Sequence, residues 1–242
     1  MRTDSYWQLS RAPRYSLLFA LPLLLLYETL ALMLGGATGG VRNGADAILR
    51  ALFAAVAGPW GTAVLAGVLI GGSVWLVARD RRRNRAPLRA RVFWGMLAES
   101  VALASLLGTV VALLTVQLLR PVLAMSDGPI QSLGWGERLM LSLGAGLYEE
   151  LLFRVVLVTL LAVGARTLLG LGARGAGVFA VLVGALLFSA AHHVGAYGEP
   201  LALVPFTFRF VAGVVFSALY LLRGFGITAW THALYDVFVL VV

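Results

Sequence analysis

Apolar runs close to twenty residues long, each able to cross the roughly 30 Å hydrocarbon core of a bilayer as a helix, recur from Tyr15 to the end of this chain. No other feature restricts its fold as tightly. In hydrocarbon each backbone N–H and C=O must find its partner within the protein, so such runs fold as helices. The runs leave no room for a sizeable soluble domain. Residues 1–242 therefore read as one all-α, polytopic transmembrane helical bundle of about seven to eight membrane helices with a central polar cavity. Composition agrees: 60% of the residues are hydrophobic and 12% charged, against about a quarter charged in an average soluble domain.

The first run, about Tyr15 to Met33, follows Arg11 and Arg14 and is longer than the apolar part of a signal peptide, which predicts an uncleaved signal anchor. After Gly35, Gly36, Gly39 and Gly40, the stretch Ala45 to Val56 places Leu49, Leu52, Phe53 and Val56 near one helical face, predicting an interfacial or partly re-entrant helix. Further spans are expected over Trp60–Val77, Val92–Leu119, Arg138–Val163, Val178–His193, Phe206–Leu222 and Ile227–Val242. Turn residues separate them: Pro121, Asp127, Gly128 and Pro129, then Gly195, Gly198 and Pro200, then Gly224 and Gly226.

The net charge of +8 raises the question of a nucleic-acid partner. All 19 basic residues are arginines, however, and they concentrate between apolar runs. Seven of them (Arg79, Arg81, Arg82, Arg83, Arg85, Arg89, Arg91) crowd one short loop. Membrane topology explains this better than nucleic acid. With the N-terminus inside, this loop, Arg166 with Arg174, and Arg223 all fall on the cytoplasmic side of a multi-pass cell (inner) membrane protein. The Ala- and Leu-rich, arginine-only chain reads as bacterial. It lacks cysteine, which removes disulfides, thiolate metal sites and cysteine nucleophiles and leaves histidine and carboxylate chemistry.

Ionisable groups inside apolar spans are expensive and are functional candidates by default. Glu149, Glu150 and Arg154 lie in the Arg138–Val163 run, and the chain's three histidines, His192, His193 and His232, fall in later ones. On an α-helix Glu150 and Arg154 share a face and can pair, whereas Glu149 points about 100° away and is the carboxylate left for water or substrate. Phe188 and His192 share a face by the same spacing, as do His232 and Asp236. His193 faces elsewhere and is expected to meet the interface or support the site. Glu28 and Glu99 are further acids at membrane depth, with no spacing that ties them to the others. By simple counting Glu149 sits near mid-membrane and His192 towards the opposite end of its helix from His232. They can meet only if helices are tilted, short or broken.

The ordered pattern Glu-Glu-x-x-x-Arg at 149–154, Phe-x-x-x-His at 188–192 and His-x-x-x-Asp at 232–236 resembles the CPBP family of intramembrane proteases. This is the CAAX protease and bacteriocin-processing group that includes the Ras-converting CAAX endopeptidases. The resemblance covers about 138–242, which it marks as the catalytic core. It implies that Glu149 activates water, that His192 helps to hold or deprotonate it, and that His232 and Asp236 stabilise the oxyanion, with Glu150, Arg154, Phe188 and His193 in support. Asp236 occupies a position that is Asn or Asp across the family. It would act protonated, by orienting His232, or by contacting a metal.

The function this predicts is an intramembrane endopeptidase that hydrolyses a bond near the C-terminal or membrane-proximal part of a protein or peptide substrate, its partners being that substrate and the lipid bilayer. No cofactor is required by this scheme, although Glu149, His192 and His232 could supply ligands to Zn²⁺. There is no His-Glu-x-x-His helix for a conventional zinc protease and no Gly-x-Ser-Gly element for a serine one. Two other classes remain: a non-catalytic scaffold or immunity protein of the same fold, and a proton-coupled transporter.

Overall fold

The computed structural model describes residues 5–35, 42–119, 133–194, 198 and 200–241. The expected turn residues Gly36, Gly39, Gly40, Pro121, Asp127, Gly128, Pro129 and Gly195 lie outside these. The described residues form an all-helical membrane bundle, without strands. A short α1 (Tyr6–Arg11) precedes α2 (Pro13–Leu34). Next come α3 (Gly44–Ala57), a 3-10 turn (Gly58–Trp60), α4 (Gly61–Arg83) and α5 (Ala90–Leu119). The Glu-Glu-x-x-x-Arg run then lies on a continuous helical path made of α6 (Trp135–Gly144), a π-helical segment (Ala145–Val158) and α7 (Thr159–Thr167). Finally α8 (Ala173–Ala191), α9 (Leu203–Arg223) and α10 (Phe225–Leu240) carry the remaining motifs.

Five helical stretches are long and apolar enough to cross a membrane, with α3 and α4 counted as one 40-residue stretch. Two expected spans are not among them, for different reasons. The motif-bearing run is divided by its π-helical middle, and α10 has 16 residues, about 24 Å at 1.5 Å per residue. The stretch expected to be interfacial or re-entrant forms the helix α3, whose Asn43 side chain caps it by accepting from Ala45 N–H (2.9 Å).

The short α10 is the centre of the bundle, packed by α2, α5, α6, α9 and the π-helical segment. Small residues permit this. Gly146 lies so close to α10 that a Cβ there would collide with Ala229 O and meet the Ala233 Cβ at 2.6 Å. Such close approach replaces the hydrophobic drive that apolar helices lack in lipid. Around it Leu23, Tyr27, Met140 and Tyr148 form one buried cluster with Ala229 and Ala233, and Val111, Phe216 and Tyr235 form another. The outer faces are apolar too, with Leu25, Leu32, Val68, Ile70, Trp75, Leu106 and Leu182 exposed, as lipid contact requires.

Arginines tie one end of the bundle together. Buried Arg14 donates to Asn84 O (2.6 Å) and Ala86 O (3.1 Å) and pairs with Asp80 (3.4 Å). Arg223 grips Glu99 through two nitrogens (2.5 and 2.7 Å), donates to Ser10 Oγ (3.0 Å) and lies 3.7 Å over the Trp7 ring. Tyr6 donates to the same carboxylate (2.6 Å), and burial together with Glu99 pushes its phenol pKa up. Glu99, an acid of uncertain alignment in the sequence, therefore belongs to a clasp between α1, α5 and α9. The start of α2 and the ends of α4 and α9 all meet here.

Candidate active site

Adjacent carboxylates on an ordinary helix diverge. Here the i→i+5 hydrogen bonding of Ala145–Val158 widens the turn that carries them, a geometry that is rare and frequent at functional sites. Glu149 faces α3 and the end of α8, while Glu150 faces α10. Glu150 is fully buried and pairs with Arg154 (3.3 Å) as the four-residue spacing predicts. The same oxygen also accepts from His232 Nδ1 at 2.7 Å. Arg154, 1% exposed, lies over the Phe188 ring (4.2 Å) and near Phe216 (5.6 Å). Its guanidinium is thus surrounded by one carboxylate and two aromatic faces.

His232 is accordingly held by Glu150 rather than by Asp236, whose Oδ2 lies 3.8 Å from Nε2, beyond hydrogen-bond distance. A carboxylate can only accept, so Nδ1 carries the proton towards Glu150. Phe216 stacks on the ring at 4.3 Å and 23°. Asp236 shares the space of His232 without fixing its orientation.

His192 is the residue at which α8 stops, its backbone forming the C-terminal cap. Its Nδ1 lies 2.8 Å from Phe188 O. A carbonyl also only accepts, which assigns the proton to Nδ1 and leaves the Nε2 lone pair directed to Glu149 Oε2, 3.8 Å away. The other oxygen, Glu149 Oε1, accepts from Asn43 Nδ2 at 2.9 Å. The Phe188 ring is edge-on to both imidazoles, at 4.7 Å from His192 and 6.5 Å from His232. Exposure is graded: Glu150 and Arg154 are closed off, whereas the Glu149 and His192 side chains retain 13% and 24%. The polar interior opens on the Glu149–His192 side.

All three motifs thus converge, and the difficulty of bringing His192 and His232 to one place is met by breaks and shortening: α8 ends at His192, α10 is short, and the acids ride a widened helix. His193 turns away and stacks on Phe206 (5.8 Å, 23°). Asn43 and Phe216 were not singled out by the sequence. Asn43 precedes a Gly-Ala-Asp run in a helix-capping position, a signal that could have marked it as ordered, though not as a partner of Glu149. Glu28 sits one residue away from the site, accepting from Tyr148 Oη (2.7 Å).

Among the described residues, no group of three or more His, Cys, Asp or Glu side chains is spaced to hold a metal ion.

No curated protein and no solved structure matches the chain. The family model described as type II CAAX prenyl endopeptidase Rce1-like matches residues 131–238, the stretch that contains every motif residue above. Residues 131–238, a little under half of the chain, are thus similar to a type II CAAX prenyl endopeptidase domain, a match that supports a membrane-embedded protease of the CAAX type.

Proposed function

We propose that this protease cleaves a peptide bond near the C-terminal or membrane-proximal part of a protein or peptide substrate, with a water activated by Glu149 and His192. One observation carries the reading. Glu149 Oε2 and His192 Nε2 face each other at 3.8 Å as two acceptors. They cannot bond directly in these protonation states, and a contact of this length invites a bridging water. A water donating one hydrogen to each would satisfy both and turn its lone pairs outward, as a nucleophile requires.

In the proposed reaction Glu149 takes one proton as the water oxygen attacks the scissile carbonyl, and returns it to the leaving amine. His192 keeps its tautomer through Phe188 O and holds the water in line. His232, gripped at Nδ1, donates from Nε2 as imidazolium to the developing oxyanion, with Asp236 and Glu150 balancing its charge. The arginine-rich end of the bundle, where Arg11, Arg14, Arg79 to Arg91 and Arg223 gather, supports a cytoplasmic N-terminus in the inner membrane.

The test is a proteome-wide comparison of protein C-termini in cells carrying the wild type or Glu149→Ala. Termini that depend on Glu149 are expected, together with unchanged membrane insertion of the variant. Identical termini in the two strains would overturn the assignment.

A further inference from the structure

The family match begins at residue 131, yet a residue from the first third of the chain hydrogen-bonds the proposed base. Asn43 Nδ2 donates to Glu149 Oε1 at 2.9 Å, and Asn43 is itself held three ways. Its Oδ1 caps α3 at Ala45 N–H (2.9 Å), its backbone N–H donates to Tyr27 Oη (3.2 Å), and its Cβ packs against Gly144, where an added Cβ would sit at 2.7 Å. Because Oδ1 is committed to the cap, the amide can offer only its donor side to Glu149.

The hold on Asn43 continues outward. Tyr27 donates to Asp46 (2.9 Å), a fully buried carboxylate flanked by Arg42 (2.8 Å) and Arg50 (2.6 Å). Both arginines reach Glu28 (3.3 and 3.0 Å), and Glu28 accepts from Tyr148, the residue before Glu149. The chain of contacts closes on itself. Glu149 is thereby gripped from both sides by α2 and α3: at its side chain through Asn43 and at its backbone neighbour through Tyr148.

We propose that Asn43 is a positioning residue for the reaction, fixing the Glu149 carboxylate so that Oε2, and not Oε1, faces His192, and that the Glu28–Arg42–Asp46–Arg50 lattice exists to keep it there. The proposal rests on Glu149 being the base. A carboxylate bonded at one oxygen loses its freedom to rotate, which keeps the acceptor opposite Nε2 in place and leaves the bridging water a single site. Misplacement of a catalytic group by about 1 Å can cost on the order of 100-fold in rate.

The cap and the donor functions of Asn43 separate by substitution. Ser caps a helix about as well as Asn but is too short to reach Glu149. Asp is isosteric and caps, but presents an acceptor where the donor was. The experiment measures kcat and KM of wild type, Asn43→Ser, Asn43→Asp, Asn43→Ala and Glu149→Ala on a quenched peptide spanning a cleavage site found in the C-terminal comparison, alongside thermal unfolding. The expected result is a fall in kcat of roughly 10- to 100-fold for Ser and Asp with KM unchanged, Tm being unchanged for Ser and lowered for Asp, whose carboxylate faces Glu149, and for Ala, which lacks the cap. Wild-type kcat in Asn43→Ser or Asn43→Asp, with Glu149→Ala inactive, would overturn the role of Asn43 and leave the protease reading intact. A Ser variant that loses kcat only in proportion to lost Tm would reduce Asn43 to a helix cap. Full activity in Glu149→Ala would remove both proposals at once.

Discussion

Replacing Glu150 by Gln removes one charge from a place where two are closed off from solvent. Arg154 is 1% exposed and its paired carboxylate is Glu150 at 3.3 Å; beyond that ion pair, the Arg154 nitrogens make no hydrogen bond among the described residues. The Phe188 and Phe216 faces attract the guanidinium but cannot neutralise it. Breaking a buried pair by removing one partner costs about 3–5 kcal/mol, because the surviving charge is left uncompensated. For a protein of this size about 1 kcal/mol moves Tm by roughly 2–4 °C, so Glu150→Gln should lower Tm by about 6–20 °C. Gln still offers His232 an acceptor oxygen, so the ring should keep its place and the loss should be mainly electrostatic. The assay is thermal unfolding in detergent micelles, followed by tryptophan fluorescence. Glu150→Gln combined with Arg154→Met removes the stranded charge and should recover most of the deficit. A single variant with wild-type Tm, or a double variant less stable than the single, would refute this account.

Gly146→Ala should force the π-helical segment away from α10, since the new Cβ would collide with Ala229 O. A stability cost of about 1–3 kcal/mol, read as a lowered Tm, and a larger proportional loss of cleavage are expected, and an unaffected variant would show that the two elements can part freely. Glu99→Gln leaves buried Arg223 without its carboxylate and should destabilise the clasp by about 3 kcal/mol, while kcat for the remaining folded protein stays at the wild-type value. Incubation with a strong zinc chelator should leave cleavage unchanged, because the proposed reaction uses only water and protein groups; reversible loss of activity restored by zinc alone would contradict this.

Much of the site was legible because its logic is local. Glu150 with Arg154, Phe188 with His192 and His232 with Asp236 are each four apart, and hydropathy placed each set in an apolar run. What spacing could not give is the choice between partners. His232 has Asp236 on its own helix and takes Glu150 from 82 positions away, a result of how closely small residues let α10 approach. Asn43 was invisible for a related reason: its bond to Glu149 spans 106 positions, and nothing in a Gly-rich connection followed by a short amphipathic stretch announces such a partner. The π-helical segment was not anticipated either, since Leu, Val and Phe at these positions suit either helical pitch and only the packing against α3, α8 and α10 selects the wider one.

The role proposed for Glu149 depends on that wider winding. Five-residue hydrogen bonding is poorer than four-residue bonding, so Ala145–Val158 holds it only while its neighbours enforce it. In a chain inserted in the bilayer but not yet assembled, the segment would relax to the ordinary pitch and rotate Glu149 and Glu150 relative to one another. On the proposed mechanism, newly made copies would then carry Glu149, His192 and His232 without their alignment, and hydrolysis would await the last packing step.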